Sequence, residues 1–313
     1  MTTCKTRGKS LFFAGMCALL ACALAASAFC FTASAALSEE PAAQKSKLRE
    51  PSTGTNTVSD SGATIDISNT SDGYVMIRYS GSGSKIKVQI TRGAGTTYTY
   101  DLNSSGRFET FPLTAGDGSY TINVFENIHG NKYAMVVGTT TAVTLNSKFS
   151  PFLYPSQYVY FTADSTVVKK SAELADGAAD QLAVISNIYN YVIKNVSYDT
   201  NKAQTVKPGY LPSVDKILSS GKGICFDYAA LMAAMLRAQN IPTRLQIGYV
   251  SDGLYHAWIS VFTEKTGWIN NIIYFDGANW KLMDPTFAAS SNQSAETMKF
   301  IGDGKNYSVV YTY

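Results

Sequence analysis

From Ala63 to Val168 the apolar residues recur at every second position, in runs such as Lys85-Ile86-Lys87-Val88-Gln89-Ile90 and Tyr120-Thr121-Ile122-Asn123-Val124-Phe125. A period of two sends one face of each run into a core and the other into solvent, which is the pattern of a half-buried β-strand. Clusters of Gly, Asn, Asp and Ser at 81–84, 103–106 and 116–118 separate the runs. Further runs begin at Ile65, Tyr74, Tyr98, Phe108, Tyr133 and Ala142. Together they predict about eight short strands and an antiparallel, immunoglobulin-like β-sandwich over residues 63–168. His129, in Asn127-Ile128-His129-Gly130-Asn131, falls between two runs and reads as a turn residue rather than a ligand.

After Lys169 the period becomes helical. Leu174, Leu182, Ile185, Ile188, Tyr189 and Val192 share one face of a segment reaching about Asn195, and Tyr198-Asp199-Thr200 ends it. A loop with Pro208 and Pro212 leads to a short helix over about 213–218. Gly221 and Gly223 then precede Cys225 and a run of good helix formers from Ala229 to Arg237, closed by Asn240-Ile241-Pro242. Strand-like runs follow at 244–250, 257–262, 272–275 and 280–284. Helices followed by antiparallel strands predict an α+β domain over 169–313.

The two ends of the composition belong to different parts of the chain. Lys5, Arg7 and Lys9 precede an uncharged stretch from Leu11 to Phe31 and the small residues Ala33-Ser34-Ala35. Residues 1–35 are therefore expected to be a secretory signal cleaved after Ala35 or, uncleaved, an N-terminal anchor; either way the bulk of the protein is secreted or held at the extracytoplasmic surface. Of 26 basic residues these three precede the first acidic residue, Glu39, so the remainder carries 23 of each sign. That balance argues against a nucleic-acid partner, which needs clustered excess Lys and Arg. Residues 36–62 are poor in large apolar groups and are expected to be a flexible linker. Cys4, Cys17, Cys22 and Cys30 lie in the leader, leaving Cys225 alone beyond it, with only His129 and His256 as histidines. One thiol forms no internal disulfide, and so few ligands imply neither a metal nor another cofactor.

Cys225 at a helix start is in a position to react. Unpaired N–H groups and the helix dipole favour a thiolate there and donate to an oxyanion forming on an attacked carbonyl, while Gly221 and Gly223 let the backbone turn and a substrate approach. A thiol nucleophile needs an imidazole, and the imidazole an orienting group. His256 stands before the strand run that begins Ala257-Trp258, and Asp284 opens Asp284-Pro285-Thr286 at the end of a later one. Each has an ordinary explanation by itself, as a buried cysteine, a polar strand end and a turn aspartate. Asp227 is expected to cap the helix, and Lys222 to be solvated.

Gly221-x-Gly223-x-Cys225, Ile241-Pro242-x-Arg244 leading to Gly248-Tyr249, His256-Ala257-Trp258, and Trp280-x-x-x-Asp284-Pro285-Thr286 together resemble the core of the transglutaminase-like superfamily. The resemblance covers about 182–287 and implies a papain-like α+β fold with Cys225 as nucleophile, His256 as base and acid, and Asp284 as orienter. It implies an exported, bacterial-type enzyme that cleaves or transfers amide bonds of peptides or proteins, with cell-wall-associated ones among the expected substrates, and leaves hydrolysis and transamidation both open. The tryptophan that supports the oxyanion in animal transglutaminases has no counterpart upstream of Cys225, which leaves Tyr198 and Tyr210 as candidates for that role. Trp258 is a candidate for the substrate cleft, against an ordinary place in an aromatic core. The competing expectation is an inactive scaffold whose β-sandwich binds at the cell surface.

Overall fold

The computed structural model describes residues 48–250, 253–269, 273–275, 280–282 and 307–313; the leader, residues 36–47 and Asp284 lie outside them. Eight strands come first: β1 (Thr57–Asp60), β2 (Ala63–Asp66), β3 (Tyr74–Tyr79), β4 (Ile86–Arg92), β5 (Thr97–Leu102), β6 (Glu109–Pro112), β7 (Gly118–His129) and β8 (Lys132–Val143). They form two four-stranded sheets, ordered β1-β2-β3-β6 and β5-β4-β7-β8. All the neighbours are antiparallel. Ile65, Val75, Ile77 and Phe111 of the first sheet and Val88, Ile90, Ile122 and Val124 of the second share one core. Each such side chain contributes about 1.5–3 kcal/mol of burial. His129 ends β7, exposed at the hairpin to β8.

The second half contains α1 (Thr166–Ala175), α2 (Gln181–Asn195), β9 (Ser197–Tyr198), α3 (Thr200–Thr205), α4 (Val214–Ser220), β10 (Lys222–Gly223) and α5 (Cys225–Ala238). After these come β11 (Thr243–Val250), β12 (Tyr255–Thr263), β13 (Gly267–Ile269), β14 (Ile273–Phe275), β15 (Trp280–Leu282) and β16 (Tyr307–Thr312). The main sheet runs β13-β12-β11-β16, and α5 packs on β11 and β12 with α1, α2 and α4 around it. Helix α5 is apolar on every side, so it must be covered on every side. Every residue from Asp227 to Ala238 is buried. The expected α+β architecture is thus the observed one: an antiparallel sandwich followed by a helix-and-sheet half.

Two arginines hold this half together. Arg237 is 1% exposed and donates from Nε and Nη2 to the Thr243 carbonyl, from Nη1 to Tyr154 O and from Nη2 to Tyr313 O, at 2.8–3.0 Å. Arg244 Cζ lies over Trp268, 3.6 Å from the ring centroid, and 5.0 Å from that of Phe152.

The two halves meet in a seam of rings. Tyr313 packs against Tyr98, Tyr100 and Tyr158 at centroid distances of 5.5, 5.8 and 4.7 Å. Tyr158 also meets Phe226 at 5.3 Å. Thr114 Oγ1 donates to Thr312 O at 2.7 Å across the same seam.

Several boundaries differ from those the sequence suggests. Residues expected to belong to a tether form β1, and Leu48 packs against the core while Arg49 bonds Asn240 Oδ1 at 3.2 Å. The helical stretch ending near Asn195 is two helices, broken by the left-handed Gly177. The runs at Tyr133 and Ala142 are one twelve-residue strand. Helix α3 and the three-residue strand β13 carry no periodic apolar signal from which they could be predicted.

Candidate active site

Cys225 is the first residue of α5 and is partly exposed. The approach to it is built by glycine. Gly221 closes α4 in the left-handed region, with φ of 60° and its N–H on Ile217 O. Gly223 is needed for clearance instead, since a Cβ there would come 2.6 Å from Asp227 Cβ. Gly221 thus makes the sharp backbone turn expected from sequence, and Gly223 leaves room for the Asp227 side chain. Gly223 pairs with Tyr198 in the parallel β9-β10 ladder, and the Asp199 N–H donates to Gly223 O at 2.9 Å.

Two residues on from Cys225 is a buried carboxylate. Asp227 is 0% exposed, and its Oδ2 accepts from the Ile224 N–H at 2.9 Å, so it caps the helix as expected. Isoleucine has no side-chain acceptor, so only this half of a capping box exists. The same carboxylate accepts from Tyr210 OH at 2.6 Å and from Lys202 Nζ at 2.5 Å, and Lys202 Nζ also donates to Tyr210 OH at 2.6 Å. Burial first, and then the Asp227 carboxylate, push the Tyr210 phenol above its usual range. The Tyr210 hydroxyl, a candidate for an oxyanion, donates to Asp227 instead. Tyr198 is half-buried on β9. Lys222 is exposed.

His256 is the second residue of β12 and is 4% exposed. In the sheet it stands opposite Gly248, where a Cβ would collide with Ser308 O and come 3.0 Å from Trp258 Cη2. Ala257, Ile259 and Val261 join the core shared with α5. His256, Trp258 and Ser260 occupy the alternate positions and form a second buried row. The His256 and Trp258 rings stack at 6.2 Å and 20°, and Trp258 meets Tyr307 at 5.2 Å. At 2% exposure Trp258 is buried, in keeping with the aromatic-core place weighed against the substrate cleft.

Elements α5 and β12 pack together. Tyr255, next to His256, lies within electrostatic reach of the Cys225 thiol: its phenol is raised by burial, then by Tyr311, Tyr249 and Cys225. Tyr255 is 53% exposed and pairs with Tyr249 at 5.3 Å, giving an aromatic step that has no sequence signal of its own. Asp284 lies outside the described residues, and nothing places it relative to the other two. Among the described residues no group of three or more His, Cys, Asp or Glu could hold a metal ion.

Residues 168–271 match the model of the Transglutaminase-like superfamily, so Cys225 and His256 fall within the match and Asp284 beyond it. A UPF0252 protein of Methanocaldococcus jannaschii is 32% identical over 98 residues, 28% of this chain and 28% of that one. A second UPF0252 protein, from Pyrococcus horikoshii, is 33% identical over 106 residues, 33% of this chain and 32% of that one. The chain thus matches less than a third of the length of either relative. Among solved structures, the periplasmic domain of TgpA from Pseudomonas aeruginosa aligns with 80% of this chain and 99% of its own at 14% identity and a TM-score of 0.34. Red sea bream transglutaminase aligns with 73% of this chain and 53% of its own at 14% identity and a TM-score of 0.31. These are distant likenesses of fold and carry nothing about activity.

Proposed function

We propose that the transglutaminase-like core at residues 168–271 is the catalytic part of a cysteine-dependent acyl-transfer enzyme acting on amide bonds of peptides or proteins. The observation that carries this reading is the position of Cys225 as the first residue of a helix whose next turn is fully buried and capped. A first-turn thiol faces the positive end of the helix dipole and N–H groups with no intrahelical acceptor. That environment suits both a thiolate and the oxyanion its attack creates. His256, near the start of the packed strand β12, supplies the imidazole, and Asp284 its orienting carboxylate.

In the first step the Cys225 sulfur attacks the amide carbon, the C–N bond breaks, and the departing nitrogen takes a proton from the His256 imidazolium. The resulting thioester is then attacked by water or by an amine. His256 accepts the attacker's proton and the C–S bond breaks, returning the Cys225 thiolate and the His256 imidazolium with which the cycle began. Water gives hydrolysis and an amine gives a new amide. Export to the cell surface belongs to the same reading, supported by Lys5, Arg7 and Lys9 ahead of the apolar stretch and by Ala33-Ser34-Ala35 after it.

The test offers a glutamine peptide with and without a primary amine and follows ammonia release and amine incorporation. Cys225→Ala, His256→Ala and Asp284→Ala should each abolish turnover while far-UV circular dichroism stays native. Wild-type turnover in Cys225→Ala would remove the mechanism.

A further inference from the structure

We propose that Tyr249 and Tyr255 form a substrate subsite, which takes an aromatic side chain flanking the amide that is attacked. The proposal deepens the reading of Cys225 as an acyl-transfer nucleophile and rests on it.

The two tyrosines stand directly opposite one another on β11 and β12. Their ring centroids are 5.3 Å apart and their planes 58° from parallel, a tilt that leaves the pair open rather than closed face to face. The pair two positions further in, Ile247 with Ala257, lies on the same face and packs on the core that α5 shares. Tyr249 and Tyr255 thus carry a core-facing row out into water, on the side of the sheet where α5 lies. Tyr255 also senses the first residue of that helix: burial, then Tyr311, Tyr249 and the Cys225 thiol, hold its phenol above the ordinary range.

Both rings are left in solvent at the end of an apolar row. Tyr249 is 47% and Tyr255 53% exposed, and Leu254 in the turn between them is exposed as well. Large apolar side chains gathered in water at one place mark a contact surface, and tyrosine makes such contacts at low cost in side-chain entropy. Charge then narrows the occupant. Between Arg244 and Glu264 the sequence has one carboxylate, Asp252, and no lysine or arginine, and from Tyr307 to Tyr313 it has no charged side chain. Arg244 itself is spent on Trp268 and Phe152. These strands therefore offer a carboxylate or phosphate no cation, whereas an aromatic ring meets two further rings by edge or by offset face. A cross-strand pair stabilises a hairpin wherever it sits, but that role leaves the choice between substrates untouched.

The experiment reads that choice in the full chain. Glutamine peptides identical except for Phe or Ala immediately before or after the glutamine are compared by ammonia release, and by fluorescence anisotropy on the Cys225→Ala variant. At one of the two positions Phe should be favoured about tenfold over Ala, through KM and through affinity. Tyr249→Ala and Tyr255→Ala should each cut that ratio by about threefold or more, while Tyr255→Phe, which keeps the ring, should preserve it. Taking the ratio cancels any general effect of a variant on folding or on His256. Absence of a Phe preference in the wild type overturns the proposal, as does a preference that survives intact in either alanine variant. Should Tyr255→Ala not fold, the ratio in Tyr249→Ala decides. A wild-type dimer in analytical ultracentrifugation that Tyr249→Ser with Tyr255→Ser disperses also overturns it, because a second copy would then be the occupant. Turnover in Cys225→Ala sinks the nucleophile reading, whereas the anisotropy ratio decides the subsite without turnover.

Discussion

Arg237 offers a sharp test of how this core is held, because two large terms oppose each other at one side chain. Burial pushes its guanidinium down from its ordinary range to about 9. A shift of that size corresponds to about 5 kcal/mol of desolvation opposing the charged form. Against it stand four hydrogen bonds to the carbonyls of Thr243, Tyr154 and Tyr313. Bonds from a charged donor contribute about 1.5–3 kcal/mol each and offset part of that desolvation. Arg237→Met keeps the apolar stem, relieves the buried charge and strands those acceptors, and its expected cost is about 3 kcal/mol. For a unit of this size that is a fall of about 6–12 °C in Tm, measured by scanning calorimetry. Arg237→Lys, a single point donor in place of a fork, should recover less than half of the loss. A Tm for Arg237→Met within about 2 °C of wild type would refute the reasoning, since the carbonyls would then be satisfied without the guanidinium.

Other outcomes follow from the same structure. Gly248→Ala drives a Cβ into Ser308 O; it should cost about 3 kcal/mol or more and expose the β16 amides to rapid hydrogen exchange, whereas native protection would count against the close approach. The Tyr120 and Tyr158 phenols are both raised to about 12, chiefly by burial. A folded-state value above the unfolded one near 10 means stability is fully present below about pH 10 and lost as pH climbs towards 12. The urea midpoint should therefore fall across that window, and Tyr158→Phe should flatten the slope. An unchanged slope would mean that ionisation of Tyr158 is not linked to folding.

The sequence reveals most where local chemistry decides the outcome. The sandwich strands are legible because their alternation is strict and one face is buried, as with Ile86, Val88 and Ile90 on β4. Cys225 at a helix start is legible because glycines and then a run of helix formers surround it. Strand β1 is hidden because Val58 is its sole large apolar residue and its pairing is made by the β2 backbone. Lys202 and Tyr210 are hidden for another reason: they lie 25 and 17 residues before Asp227, in polar segments where only the folded chain brings them to one carboxylate. The Tyr210 hydroxyl is thereby engaged, and Trp258 is sealed beneath Tyr307. Sequence offers residue types for a role and cannot show that a neighbour already occupies them.

The seam around Tyr313 has a consequence in time as well as in space. Strands grow from the N-terminus, so the sandwich has all eight of its strands while most of the second half is still to be made. Strand β11, by contrast, waits for β16, and Arg237 for one of its carbonyls, until residues 307–313 emerge. Until then the helix that carries Cys225 packs against a sheet lacking its last strand. The order of synthesis therefore completes the candidate catalytic centre only after the sandwich. A chain that stops short of Tyr307 would lose more than a few residues: it would leave a finished sandwich joined to an unfinished site.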